Sequence, residues 1–163
     1  MSNTSYRSAH GRVLRHEGLI QAGQAEVWQT LTTTEGLRKF VAPVVRLDFR
    51  VGGEWEASYN PAAQIGDPAN IVNEVLCYLP MEMLAIRIKR TPPGFPNARV
   101  GLGLWTVMQL RLVGERQTHF TLSMLGWPDE PEAEAVYALF ERGNAYTLAQ
   151  LQKVFAAARA GSG

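Results

Sequence analysis

From Val44 to Tyr59 the apolar and polar side chains alternate. Val45, Leu47, Phe49 and Val51 fall on one side of an extended chain, and Arg46, Asp48 and Arg50 on the other. The alternation pauses at Gly52-Gly53 and resumes with Trp55, Ala57 and Tyr59 opposite Glu54, Glu56 and Ser58. Two strands are predicted, joined by a tight hairpin whose glycines supply positive φ angles. The resulting sheet presents an apolar, aromatic inner face.

The same reading extends along the chain. Residues 1–10 are polar without period and are expected to form a flexible arm ahead of one domain over 11–163. Arg12 to Gln21 reads as a first strand, with Gly18 marking a bulge. Ala22 to Thr32 switches to helical spacing through Val27, Trp28 and Leu31, and Thr34 caps a second short helix bearing Leu37, Phe40 and Val41, which Pro43 ends. Beyond the hairpin and a loop at 60–68, Ile71 to Leu79 and Met83 to Thr91 form another antiparallel pair, the second alternating Leu84, Ile86 and Ile88 with Ala85, Arg87 and Lys89. Pro92-Pro93-Gly94-Phe95-Pro96-Asn97 is too rich in proline for regular structure and reads as a candidate lid. Leu104 to Val113 and Thr118 to Leu125 close the sheet, turning Met108, Leu110 and Leu112, and Phe120, Leu122 and Met124, inward.

From Pro131 to Ala160 the period becomes helical, with Val136, Phe140, Gly143, Thr147, Leu151, Val154 or Phe155, and Ala158 on one stripe. Asp129 and Glu132 resemble a capping box, and Lys153 and Arg159 lie near the negative end of the helix dipole. The order of elements implies an α+β fold in which a curved antiparallel sheet of about six to seven strands wraps around the long C-terminal helix. Two short helices follow the first strand, and an apolar cavity is expected between sheet and helix.

Composition narrows the function classes. Sixteen Lys and Arg against 15 Asp and Glu, without a basic run, give a net charge of +1 and no footprint for nucleic acid or an anionic membrane. A single cysteine, Cys77, excludes an intrachain disulfide framework, and the first ten residues lack the apolar core of a signal peptide, so a cytoplasmic location is expected. No apolar run approaches bilayer length, since Val100 to Leu112 is interrupted by Gly, Thr, Gln and Arg.

Several motifs resemble a known family. Ala25 to Thr32 carries a Val-Trp followed by a Leu-Thr; Leu37 and Phe40 follow; Arg50-Val51-Gly52-Gly53-Glu54-Trp55 and the stretch from Val72-Asn73-Glu74-Val75 to Pro80 match in order and spacing; Leu148, Leu151 and Phe155 match in the last helix. In these the chain resembles the START-like superfamily with its helix-grip, or Bet v 1-like, fold, and most closely the Hsp90-ATPase-activator-homology branch. Phe40 stands where many members have tryptophan, and Gly143-Asn144 where many have Gly-Trp. The resemblance implies one of three roles: binding of a lipid or small molecule, polyketide cyclisation or dehydration, or stimulation of a chaperone ATPase.

The candidate chemistry is sparse. His10, His16 and His119 do not converge as metal ligands and read as a residue of the arm, a strand residue and a solvent-facing residue, all three with a surface role. Cys77 reads as an inert buried thiol, and no phosphate loop or dinucleotide fingerprint is present, so no cofactor is expected. Asp48, Glu54 and Glu56 fall on the outer, solvated face; Glu74 is either partly buried or paired to Arg87 or Lys89. Glu74, Tyr59 and Asn73 are the weak candidates for proton transfer. The expected lining of the cavity is Phe40, Phe49, Trp55, Tyr59, Phe95, Trp105, Met124, Phe140 and Tyr146, with Asn73, Gln109 and Asn144 beside Tyr59 as orienting polar groups. The preferred reading is a non-catalytic or weakly catalytic binder of a hydrophobic small molecule. Alternatives are a cyclase or dehydratase and a protein-interaction module using the outer sheet face, and a homodimer is left open.

Overall fold

The computed structural model describes residues 2–9 and 11–161; His10 lies outside them. In chain order the elements are β1 (Ser2–Ser8), β2 (Gly11–Ile20), α1 (Gln24–Leu31), α2 (Thr34–Arg38), β3 (Val44–Leu47), β4 (Glu54–Ser58), β5 (Ile71–Leu79), β6 (Met83–Arg90), α3 (Ala98–Leu102), β7 (Trp105–Gly114), β8 (Gln117–Leu125) and α4 (Ala133–Ala160). The strands form one eight-stranded antiparallel sheet in the order β1-β2-β8-β7-β6-β5-β4-β3. This is the helix-grip architecture expected, with one strand more than the pattern suggested.

The extra strand is the segment expected to be a flexible arm. Ser2–Ser8 pairs antiparallel with Gly11–Glu17. Backbone hydrogen bonds to an existing edge stabilise it without any apolar period, and Arg7 reaches Asp129 at 2.9 Å. That ion pair also uses the side chain expected to cap α4, which begins at Ala133 after a turn at 131–132.

Two local expectations change around glycines. β3 ends at Leu47, and a six-residue loop rather than a two-residue turn joins it to β4. Of Gly52 and Gly53, only Gly52 has a positive φ, at 80°. Gly53 is required by proximity instead, because a Cβ there would sit 2.0 Å from the Asp48 carbonyl oxygen. Gly18 is not a bulge, since β2 and β8 pair through it in unbroken register. A Cβ at Gly18 would meet Gln152 Nε2 at 2.9 Å, so this glycine lets α4 approach the sheet. The second short helix is capped by Thr33, whose Oγ1 accepts from the Gly36 N–H, while Thr34 Oγ1 accepts from the Leu47 N–H. In the proline-rich stretch, Asn97 caps the short α3, which the pattern did not predict.

Register sorts the side chains by face. Trp55 pairs with Leu47 and Asn73, Asn73 with Ile88, Leu84 with Met108, and Met108 with Leu122. This inner face, with Val27, Leu31 and Leu37 of the short helices and Val136, Leu148 and Leu151 of α4, forms one buried core. Among the described residues no helix is long and apolar enough to cross a membrane.

Candidate functional site

The candidate site follows from how α4 is held. The helix packs on β2 and touches α3. Arg12 of β2 pairs with Glu134 at 2.6 Å and lays its guanidinium 3.5 Å from the centre of the Tyr137 ring. Farther along the strand, His16 Nε2–H donates to the Glu141 carbonyl at 3.1 Å, and Gln152 donates to the Leu19 carbonyl at 3.1 Å. His16 was expected at the surface but is fully buried. Alternation gives the face a residue occupies and not what covers that face; here α4 covers it. Burial pushes the His16 pKa below its ordinary value, outweighing the Glu141 carbonyl bond and the Glu141 charge, which both raise it. The neutral ring keeps one proton for the bond to α4, and its Nδ1 is buried without a partner.

The buried stripe of α4 opens in the middle. Ala133, Val136 and Tyr137 are sealed at one end, Leu148 and Leu151 at the other, but Phe140, Asn144 and Thr147 between them are only half-buried. Gly143 is exposed, and a Cβ placed there would meet nothing within 4 Å. At 100° per residue, Leu139, Gly143 and Tyr146 share the flank of α4 opposite Gln152, hence away from β2. On the sheet, the inner-face residues that keep solvent access include Leu47, Ile71, Asn73 and Thr106. The stripe expected through Gly143 and Thr147 therefore runs instead through Tyr137, Asn144 and Leu148.

Tyr59, just after β4, lies within electrostatic reach of Tyr146 on the open flank of α4. It keeps 67 % of its surface and Tyr146 keeps 60 %. Yet burial, followed by Tyr146, holds the Tyr59 phenol above its ordinary pKa. Phe95 closes the α3 end, packed 6.1 Å from the Phe140 ring, and Trp127 continues the cluster 4.9 Å from Tyr137. The lid residue is thus docked on α4. Trp127 and Tyr137 were missed by the sequence reading; the signal available was an aromatic just before the helix and another one turn into it.

The other expected site residues separate. Trp55 is buried on the inner face, with Asn73 beside it. Met124 is buried, its sulphur accepting from Asn144 Nδ2 at 3.2 Å. Phe40 is sealed in the core, and Phe49 leaves the wall to pack on Tyr78 at 4.5 Å and edge-on to Trp28. Trp105 and Gln109 are on the outer face: Trp105 pairs with Arg87 and Leu125, and Gln109 with Met83 and Thr121, one residue out of phase with the inner set.

The carboxylates also fall outside the gap. Glu74 pairs with Arg87 at 2.8 Å on the outer face, and Glu54 with Lys89 at 2.8 Å. Glu56 was expected to be solvated; it is buried because the 60–70 loop folds over it, its carboxylate accepting from the Gly66 N–H and Asn70 Nδ2, both at 2.7 Å, and from Arg46. Cys77 is exposed rather than buried, because a register shift after Val75 turns it outward. His119 lies on the outer face beside Glu17, 3.4 Å away. Among the described residues no three His, Cys, Asp or Glu converge as a metal site. Two polar surface depressions, of 480 Å³ at Ala62–Asp67 and 520 Å³ among Arg46, Asp48, Arg50, Glu54 and Lys89, both lie away from the gap.

Comparison with known proteins fits this geometry. The Aha1 dimer from Colwellia psychrerythraea, solved in solution, matches with a TM-score of 0.70 at 20 % identity, covering 88 % of this chain and 95 % of that one. XoxI from Bacillus cereus matches with a TM-score of 0.66 at 19 % identity, covering 88 % and 94 %. DynU16, of the dynemicin biosynthetic locus, matches with a TM-score of 0.61 at 19 % identity, covering 86 % of this chain and 46 % of that one. At these identities the likeness is one of fold. No curated protein matches the sequence significantly. Residues 21–156 match the family described as activator of Hsp90 ATPase homolog 1-like protein, so the chain belongs to that family.

Proposed function

We propose that this protein binds a small hydrophobic molecule in the gap between the middle of α4 and the inner face of the sheet. The observation that carries the reading is the break in the buried stripe of α4, where Phe140, Asn144 and Thr147 are only half-buried between two sealed ends and Gly143, on the adjoining flank, leaves open space. Its lining in this proposal is Trp55, Ile71, Phe140, Tyr59 and Tyr146, apolar and aromatic with few polar groups between them, as small-molecule sites have. Family membership supports a ligand-binding or Hsp90-activator-like role in general.

The test fills the gap. Naphthalene is titrated into the protein and followed through tryptophan fluorescence, Trp55 and Trp127 being in or near the site. Gly143→Trp, which meets no atom at its Cβ, is expected to weaken binding at least about tenfold while circular dichroism stays unchanged. Equal affinity in the variant would place the ligand elsewhere.

A second reading, a chaperone-directed interaction module, has its own support in the family and in Trp105, which stands 55 % exposed on the outer face among the paired charges of β4–β6. Trp105→Ala should then lower stimulation of an Hsp90-type ATPase and leave naphthalene binding intact; no stimulation by the wild type ends this reading. A cyclase or dehydratase would have to work without Glu74, which Arg87 holds outside the gap. The dimer of the Colwellia neighbour makes self-association a further proposal, tested by sedimentation.

A further inference from the structure

We infer that Asn144 is the polar anchor of the gap, and that its ligand is a neutral apolar molecule carrying a carbonyl-type oxygen, which takes over the side-chain N–H now given to Met124. This rests on the ligand-binding reading above. Asn144 stands at the centre of the α4 stripe, in line with Tyr137, Leu148 and Leu151, where an apolar side chain would serve packing better. Its Nδ2–H donates to the Met124 thioether at 3.2 Å, and a thioether is a weak acceptor. Because Asn144 is half-buried rather than sealed, an incoming oxygen can reach that donor. Exchange of a sulphur for a carbonyl oxygen gives the ligand a stronger hydrogen bond than the one lost.

The charge pattern fixes the rest of the ligand class. The inner positions of β4–β8, among them Trp55, Asn73, Val75, Tyr78, Ile86 and Met108, include no Asp, Glu, Lys, Arg or His. Tyr59 is held protonated at neutral pH. A charged ligand would enter without a counter-ion and lose its hydration, so the site selects against it. Asn73 is the other carboxamide on this face, and its side chain makes no hydrogen bond among the described residues, leaving a second amide for a second ligand oxygen.

The experiment compares naphthalene with 2-acetylnaphthalene, which adds one ketone to the same ring system. In Asn144→Leu the ratio of ketone to naphthalene affinity is expected to fall about fivefold. Met124→Leu, a nearly volume-conserving exchange that removes the competing sulphur, is expected to tighten the ketone and leave the hydrocarbon unchanged. A ratio that does not fall in Asn144→Leu would overturn the anchor while leaving the binding site standing. Weaker ketone binding in Met124→Leu would overturn it as well. If neither probe binds the wild type, the ligand-binding reading itself fails, and the anchor with it.

Discussion

Glycine 143 and asparagine 144 concentrate the difference between a sealed helix interface and a binding surface. Glycine in a helix interior costs about 1 kcal/mol relative to alanine, and here no steric contact demands it. Gly143→Ala is therefore expected to raise stability by about 1 kcal/mol in chemical denaturation, and a loss of stability instead would mean that the backbone at 143 needs glycine for a reason other than space. Retaining a destabilising residue beside a half-buried carboxamide is intelligible if the gap is used. Other residues could be read only halfway from the sequence. The outer side of Glu56 was legible from alternation, yet its burial was not, because the covering loop is a tertiary feature.

At the scale of elements, the seam between α4 and β2 holds the grip closed on one side. Its polar contacts are Arg12 with Glu134, His16 with the Glu141 carbonyl, and Gln152 with the Leu19 carbonyl. His16 has its folded pKa depressed below the ordinary 6.5. Well above pH 6.5 it is neutral in both states and contributes no pH dependence. As pH falls below 6.5, the unfolded chain takes up a proton that the folded seam resists, so stability declines, by at most about 1.4 kcal/mol per pH unit, until the folded pKa is passed. Urea denaturation at pH 7.5 and 5.5 should show this decline in the wild type and a shallower one in His16→Leu. An equal slope in both would assign the effect to other groups.

For the whole molecule, the grip is asymmetric: α4 is clamped to the β2 side and leaves its opposite flank, with Leu139, Gly143 and Tyr146, exposed, Tyr146 within electrostatic reach of Tyr59. A ligand seated there binds the folded state alone, since its wall is drawn from β4, β5, β7 and α4 together. At a free concentration of one hundred times its dissociation constant, 2-acetylnaphthalene should stabilise the fold by about 2.7 kcal/mol, read as a rise in the unfolding midpoint. Gly143→Trp should remove that rise. A midpoint that ligand does not move in the wild type would mean that any binding is equally available to the unfolded chain.

The sequence by itself determined the elements and their order, apart from β1 and α3. Period-two alternation placed Leu84, Ile86 and Ile88 on one face, the helical period located α4, and the motifs from Ala25 to Trp55 led to the family. These signals are local, so they survive in a single chain read residue by residue. Whether a face was covered was decided only by the tertiary structure. His16 became interior because α4 lies over it, Ser2–Ser8 became a strand because β2 offered an edge, and register put Trp105 and Gln109 outside. The gap at Gly143 has the same origin: a missing side chain becomes a binding space only where the surrounding elements stand too far apart to fill it.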